Sequence, residues 1–409
     1  MPSATAQHKL KISIIGAGPA SLALGCVLQK HGVAFTLFEA SPELRTQGGS
    51  LDLHPQSGQR ALKAAGLWGE FKKHARPECD VMKIVDMSGE ILWDENGADK
   101  QASKGGEAAF DARPEIDRLA LATLMFDNLD AGSVRFGKKV TEVVPSAQHG
   151  NKYDVHFADG TQELACDVVV GGDGAWSKVR KALSDQVPEY SGISSVWGTC
   201  ANVRGDAWLL QYAGEGSLMA FGEGCAVQSQ RQGDGSLRTY ASLRVPEDFL
   251  ETCGIDWTDA HTARKQYVER YFSHVHEGLR RLVLSCADGL ERRSFYELPV
   301  GFRWPHRQGV TLIGDAAHVF TPFAGEGVNV AMEDALVLAQ EIVKVCNGEK
   351  SLDEGLVDYE EEMFPRSARA AVKTAKGKEG HFSGSGSREF ADRLKAHYSH
   401  GQGKQQPGQ

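Results

Sequence analysis

Three short apolar runs in this chain each end abruptly at glycine. They are Lys11-Ile12-Ser13-Ile14-Ile15 before Gly16, Asp167-Val168-Val169-Val170 before Gly171, and Gly309-Val310-Thr311-Leu312-Ile313 before Gly314. Each reads as a short buried strand. Helical periodicity follows the first run over 22–30 and the third over 330–345. A further β-rich run, Ala34-Phe35-Thr36-Leu37-Phe38, ends at Glu39. The N-terminal spacing therefore predicts strand, turn, helix, strand.

A different pattern fills the middle of the chain. Residues 194–203, 208–212, 217–221 and 225–231 are strand-like. The last of these meets 237–245 across the turn signal Gln232-Gly233-Asp234-Gly235-Ser236, which predicts an antiparallel sheet. A hairpin is predicted about Met87-Ser88-Gly89-Glu90, and a mobile polar loop over 96–107. Helices are predicted over 257–272, 277–286, 353–364 and 366–378. A Gly/Ser linker at 381–387, a short helix at 388–397 and a disordered tail at 399–409 complete the chain.

The turns carry the candidate chemistry. In Gly16-Ala17-Gly18-Pro19-Ala20-Ser21, Gly16 allows a tight turn and Gly18 lets backbone approach a pyrophosphate. Glu39, 23 residues after Gly16, can accept from ribose hydroxyls. The third glycine of this pattern is replaced by Ser21, which is small enough for close helix–strand packing. Near the other end, Gly314-Asp315-Ala316-Ala317-His318-Val319-Phe320-Thr321-Pro322-Phe323-Ala324-Gly325-Glu326-Gly327-Val328-Asn329 puts an acid at a strand end and glycines at a helix start. The acid suits ribose or ribityl hydroxyls. The helix start offers free N–H groups and a positive end to a delocalised anion. Between them, Gly171-Gly172-Asp173-Gly174-Ala175-Trp176-Ser177-Lys178-Val179-Arg180 repeats the joint, with Ser177 as a candidate cap.

In this order the three segments resemble the motifs of class A flavin-dependent monooxygenases, the relatives of p-hydroxybenzoate hydroxylase, and the resemblance spans residues 10–345. Within that family, Gly48-Gly49-Ser50-Leu51-Asp52-Leu53-His54-Pro55-Gln56-Ser57-Gly58-Gln59 is similar to the tetracycline-inactivating enzymes. So are Ala64-Ala65-Gly66-Leu67, Arg113-Pro114-Glu115-Ile116-Asp117-Arg118 and Ser177-Lys178-Val179-Arg180-Lys181. The resemblance implies an α/β fold. A Rossmann-like FAD-binding domain of residues 1–74, 110–182 and 295–345 is interleaved with an antiparallel-sheet substrate domain of 75–109 and 183–294. C-terminal helices follow over 346–398, and the substrate sheet is expected to roof the flavin.

The same resemblance implies non-covalent FAD held by Gly16, Gly18, Pro19, Ala20, Glu39, Arg45, Asp52, Arg118, Asp173, Asp315, Pro322, Gly325, Gly327, Val328 and Asn329. It implies NADPH or NADH as a transient reductant, because the chain has no second dinucleotide-binding unit. O2 is the implied co-substrate, with oxygen delivered through a flavin C4a-hydroperoxide. Substrate contacts are expected from Cys200, Ser217, Phe221, Arg238 and Phe323. The tetracycline-inactivating enzymes carry Gln, Arg and His where this chain has Cys200, Ser217 and Arg238. That departure argues against tetracycline itself and leaves a small aromatic or polycyclic compound.

Composition narrows the partners. The formal net charge is −9 and the pI about 5.9, so neither nucleic acid nor an anionic membrane is expected. No apolar stretch has membrane-spanning length, and residues 1–9 are polar, so a cytoplasmic monomer is expected. The eight cysteines are scattered without a Cys-x-x-Cys pair, which predicts no metal site and no redox dithiol. His54, His318 and Glu326 are read as structural. No catalytic side chain is assigned, because flavin carries the chemistry. Two further readings stand beside this one: an oxidase or epoxidase of the same fold, and a non-catalytic flavin-binding protein.

Overall fold

A computed structural model of the chain describes residues 9–44, 48–100 and 106–402. These divide into two compact units. The first falls within Met1–Ala75, Asp111–Glu189 and Tyr296–Thr374, the second within Arg76–Phe110, Tyr190–Phe295 and Ala375–Gln409.

The first unit is built on a five-stranded sheet in the order Val310–Leu312, Val168–Gly171, Ile12–Ile15, Thr36–Phe38, Val134–Arg135. Every pairing in it is parallel. The three apolar runs form its centre and are buried throughout, as strands covered on both faces are. The register sets Ile15 opposite both Phe38 and Gly171, and Gly171 opposite Leu312. The turns that follow these strands therefore leave the sheet side by side. Helices Pro19–Lys30 and Gly327–Cys346 pack on each other and on one core with the strands.

The second unit carries a seven-stranded sheet in the order Asp288–Glu297, Glu189–Cys200, Leu237–Arg244, Cys225–Arg231, Ser217–Gly222, Met82–Asp86, Ile91–Asp94. On one face, Leu237, Ala241 and Leu243 join Val196 and Val227 in a core with helices Ala260–Tyr271 and Glu277–Ser285. At one end of the other face, Ile84 and Met219 are covered by Phe390 and Leu394 of the helix Gly386–Gln402.

Three sequence expectations are corrected. Residues 208–212 are not a strand but lie in the helix Ala207–Ala213, where Asp206 caps Leu209 N and Trp208 stacks on Tyr212 one turn later. The break expected between 364 and 366 is absent, and Leu352–His381 is one helix through Pro365. An interior proline costs about 3 kcal/mol. Tertiary contacts on both sides offset this: Phe364 packs on Trp304 at 4.8 Å, and Arg366 reaches Asp334 at 2.9 Å. The last helix starts at Gly386 and runs to Gln402, so residues 399–402 are helical rather than tail. Part of the loop expected to be mobile, 101–105, lies outside the described residues.

Candidate active site

Gly16 turns the chain at φ +92°, and a Cβ there would stand 2.5 Å from the carbonyl oxygen of Gly172. Only glycine fits that conformation and that approach. The carboxylate of Glu39 is oriented by two backbone donors, Ala17 N at 2.7 Å and Ser41 N at 2.8 Å. Ser21 is fully buried. It faces Gly172, where an added Cβ would lie 2.1 Å from its hydroxyl. The space that a third glycine would give is thus supplied from the neighbouring strand. Gly18 has φ −73° and nothing within 4 Å of a built Cβ, so its backbone is open on that side. Pro19 is half-buried and Ala20 buried in the first turn of the helix.

The Asp173 carboxylate is committed locally. Ser177 Oγ donates to it at 2.6 Å, and the amides of Lys178 and Val179 donate at 2.6 and 3.3 Å. Arg180, 2 % exposed, then ties this turn to the next motif through a bond to the carbonyl of Ala316 at 2.9 Å. Its function as a tie was not legible in the sequence, where it was one basic residue in a short run.

Asp315, by contrast, is exposed to solvent and follows the strand Val310–Leu312 at the start of a short helix. Desolvation by the neighbouring protein pushes its carboxyl pKa up, and the positive charges of His318 and Arg118 oppose the shift. Arg118 is half-buried and lies on Gly48. The start of the helix Gly327–Cys346 is stitched to the 52–57 turn by Asn329. Its Nδ2 donates to Asp52 O at 2.8 Å, and its Oδ1 accepts from His54 N at 2.8 Å and Ser57 Oγ at 3.2 Å. Asp52 lies next to Gly325 and bonds His54 at 3.0 Å. Gly327 and Val328 are half-buried, Pro322 and Gly325 exposed, and Phe323 buried. Arg45 lies outside the described residues.

These residues fit FAD by their donor set. The helices Pro19–Lys30 and Gly327–Cys346 both begin without a side-chain cap and without an acid in the first turn. Unclaimed N–H groups at a positive helix end suit a pyrophosphate or an anionic ring. Glu39 and Asp315 add carboxylates suited to hydroxyl arms. Gly18 and Gly327 leave backbone open for close approach.

The expected substrate residues separate. Ser217 pairs with Gln230, and Gln230 with Arg238, so Ser217 and Arg238 share one row and one face of the sheet. Cys200 pairs with Leu237 and therefore points to the opposite, core face. Its placement beside Arg238 is corrected by this register. Phe221 shares the face of Arg238 but is 1 % exposed, stacked on His381 at 4.0 Å with Phe390 on its edge. Sequence reasoning missed Trp197, Gln228 and Tyr240 on that face. Trp197 meets Tyr240 at 5.2 Å and Phe295 at 6.4 Å, and Arg293 lies over its ring at 5.4 Å. Glu291 bonds Arg293 at 2.7 Å and stands 3.8 Å from Arg238.

Family and relatives together define an FAD-dependent monooxygenase. The chain belongs to the FAD binding domain family, which matches residues 9–374. It is 29% identical to Monooxygenase penA of Penicillium thymicola, over 90% of this chain and 95% of that protein. Klebsiella pneumoniae HpxO, solved with FAD and uric acid, superposes with a TM-score of 0.74 at 22% identity, covering 95% of this chain and 94% of that one. The tetracycline destructase Tet(51) superposes at 0.66 with 19% identity, covering 98% and 100%. At these identities the two structures are evidence of fold alone. Among the described residues no helix is long and apolar enough to cross a membrane.

Proposed function

We propose that this chain uses NAD(P)H and O2 to hydroxylate a small, flat aromatic or polycyclic compound bearing an anionic or enolic group. The observation that carries the substrate reading is the mixed face of the second unit's sheet. There, half-buried Trp197, Tyr240 and Phe295 offer aromatic surface, and Gln228 adds a polar side chain on the same face. Arg238 stands 3.8 Å from the Glu291 carboxylate and keeps its Nη1 buried without a hydrogen-bond partner among the described residues, so it can receive an anionic or enolic oxygen.

Bound FAD supplies reductive activation of O2 and transfer of one oxygen atom to the substrate. The protein's part is to bind, orient and shield. The uncapped helix starts at Gly18 and Glu326 receive anionic groups, and Glu39 and Asp315 receive hydroxyls. Phe323, 6 % exposed beside exposed Pro322, contributes apolar surface that limits water. No side chain of the site is assigned as a proton donor or acceptor.

The test is NADPH and NADH oxidation by the purified FAD-loaded protein, screened against aromatic carboxylates, phenols and neutral analogues. Product mass and hydrogen peroxide are followed together. Stimulated oxidation with a product heavier by one oxygen atom supports hydroxylation. Peroxide without an oxygenated product assigns the oxidase reading instead.

A further inference from the structure

The helix Gly327–Cys346 buries several polar residues, and Asp334 is the most deeply buried of them. Asp334 is completely buried, between Ala331 and Leu338 in the most apolar part of the helix. Its Oδ2 accepts from the backbone amide of Gly314 at 3.0 Å and bonds His318 Nε2 at 2.5 Å. Its Oδ1 accepts from Arg366 Nη2 at 2.9 Å. One carboxylate thus joins three separate elements: the glycine before Asp315, the short helix Asp315–His318, and the helix Leu352–His381. Tyr359, on that last helix, donates to Leu312 O at 2.7 Å and holds it to the strand that ends at the same glycine.

Buried ion pairs are a poor means of gaining stability, since apolar side chains of the same volume often do as well. They do fix geometry. Gly314 has φ +57° and packs against the Cβ atoms of Ala331 and Ala20, so the turn is held from several sides. Its amide, the group that Asp334 fixes, is one residue from the Asp315 carboxylate.

We propose that Asp334 is a positioning residue of the FAD site, holding the Gly314–Asp315 backbone in its binding geometry while His318 and Arg366 stabilise its charge. The proposal rests on the placement of Asp315 in that site. His318 is 4 % exposed and stacks on Phe320; burial lowers its pKa, but the charge and hydrogen bond of Asp334 outweigh this and leave it more basic than an ordinary imidazole. The other charged groups facing the cluster are Asp315 and Arg118 on one side, and Glu333 and Glu362 around Arg366 on the other.

The experiment is FAD titration of apoprotein, followed by flavin fluorescence quenching, for the wild type, Asp334→Asn, Arg366→Lys and Arg366→Met. Asp334→Asn is expected to raise the FAD Kd tenfold or more. Arg366→Lys, which keeps the charge, should stay within threefold of wild type, whereas Arg366→Met should lose tenfold. A merely structural role lowers the melting temperatures of apo- and holoprotein alike and leaves Kd unchanged. A folded Asp334→Asn with a Kd within twofold of wild type overturns the proposal. Should that variant not fold, equal Kd values for Arg366→Lys, Arg366→Met and wild type overturn it. Wild-type apoprotein that fails to bind FAD would instead refute the site on which the proposal rests.

Discussion

Two glycines two residues apart are expected to respond in opposite ways to one added methyl group. At Gly18 the backbone lies at φ −73° and ψ 171°, a conformation open to alanine, and a Cβ meets nothing within 4 Å. Gly18→Ala should therefore leave the apoprotein as stable as wild type, or more stable by about 0.4–1 kcal/mol through the unfolded chain. The methyl group would nevertheless occupy the strip of backbone a pyrophosphate must approach. Loss of one charge-assisted hydrogen bond, about 1.5–3 kcal/mol, corresponds to roughly ten- to hundredfold weaker FAD binding. At Gly16, φ is +92° and the Cβ would stand 2.5 Å from Gly172 O and 2.9 Å from Asp173 Cα, both backbone atoms that cannot rotate away. A left-handed conformation costs about 1–2 kcal/mol and overpacking about 1–3 more. Gly16→Ala should thus destabilise the apoprotein by roughly 2–5 kcal/mol. Urea denaturation of the apoprotein and FAD titration separate the two effects. Gly18→Ala with wild-type FAD affinity, or Gly16→Ala with wild-type stability, would refute the reasoning.

Asp315→Ala should lower FAD affinity about ten- to hundredfold, read as flavin content after gel filtration; full occupancy would remove Asp315 from the site. Arg238→Ala should raise KM for an anionic substrate more than for its neutral analogue, while Cys200→Ala, on the core face, should change neither. Equal effects from the two variants in steady-state kinetics would contradict the assigned face. His381 is 7 % exposed, and burial, helped by the charge of Arg393, lowers its pKa from 6.5 to about 4. Its folded pKa lies below its unfolded one, so its contribution is complete above pH 6.5 and is lost as pH falls toward 4. The loss is on the order of 3 kcal/mol. His381→Phe should flatten that acid limb in urea denaturation measured across pH, and an unchanged limb would show that another group is responsible.

The three motif turns were legible because each is local. A short buried strand, a glycine that must take a positive φ, and an acid at a strand end all mark their own positions. The roles of neighbouring charged residues were not. Asp173 and Arg180 sit in the same motif, yet one closes its own loop and the other reaches Ala316, more than 130 residues away.

The same division runs through the whole chain. Sequence alone determined where most strands and helices lie, because hydrophobic periods of 2 and 3.6 are set by backbone geometry within a few residues. It also determined the order of the glycine turns, since steric limits on φ act residue by residue. The sheet expected to be antiparallel is mixed, since Ser217–Gly222 pairs in parallel with Met82–Asp86. Only the tertiary structure decided which strands become neighbours and in what register. Cross-strand pairing turned Cys200 to the core and set Ser217, Gln230 and Arg238 in one row, and a shift of one residue would have reversed the faces. Only the tertiary structure, too, let Asp334 stay charged within an apolar helix. Its partners Gly314, His318 and Arg366 come from elsewhere in the chain, and a buried carboxylate is stable only where such donors converge.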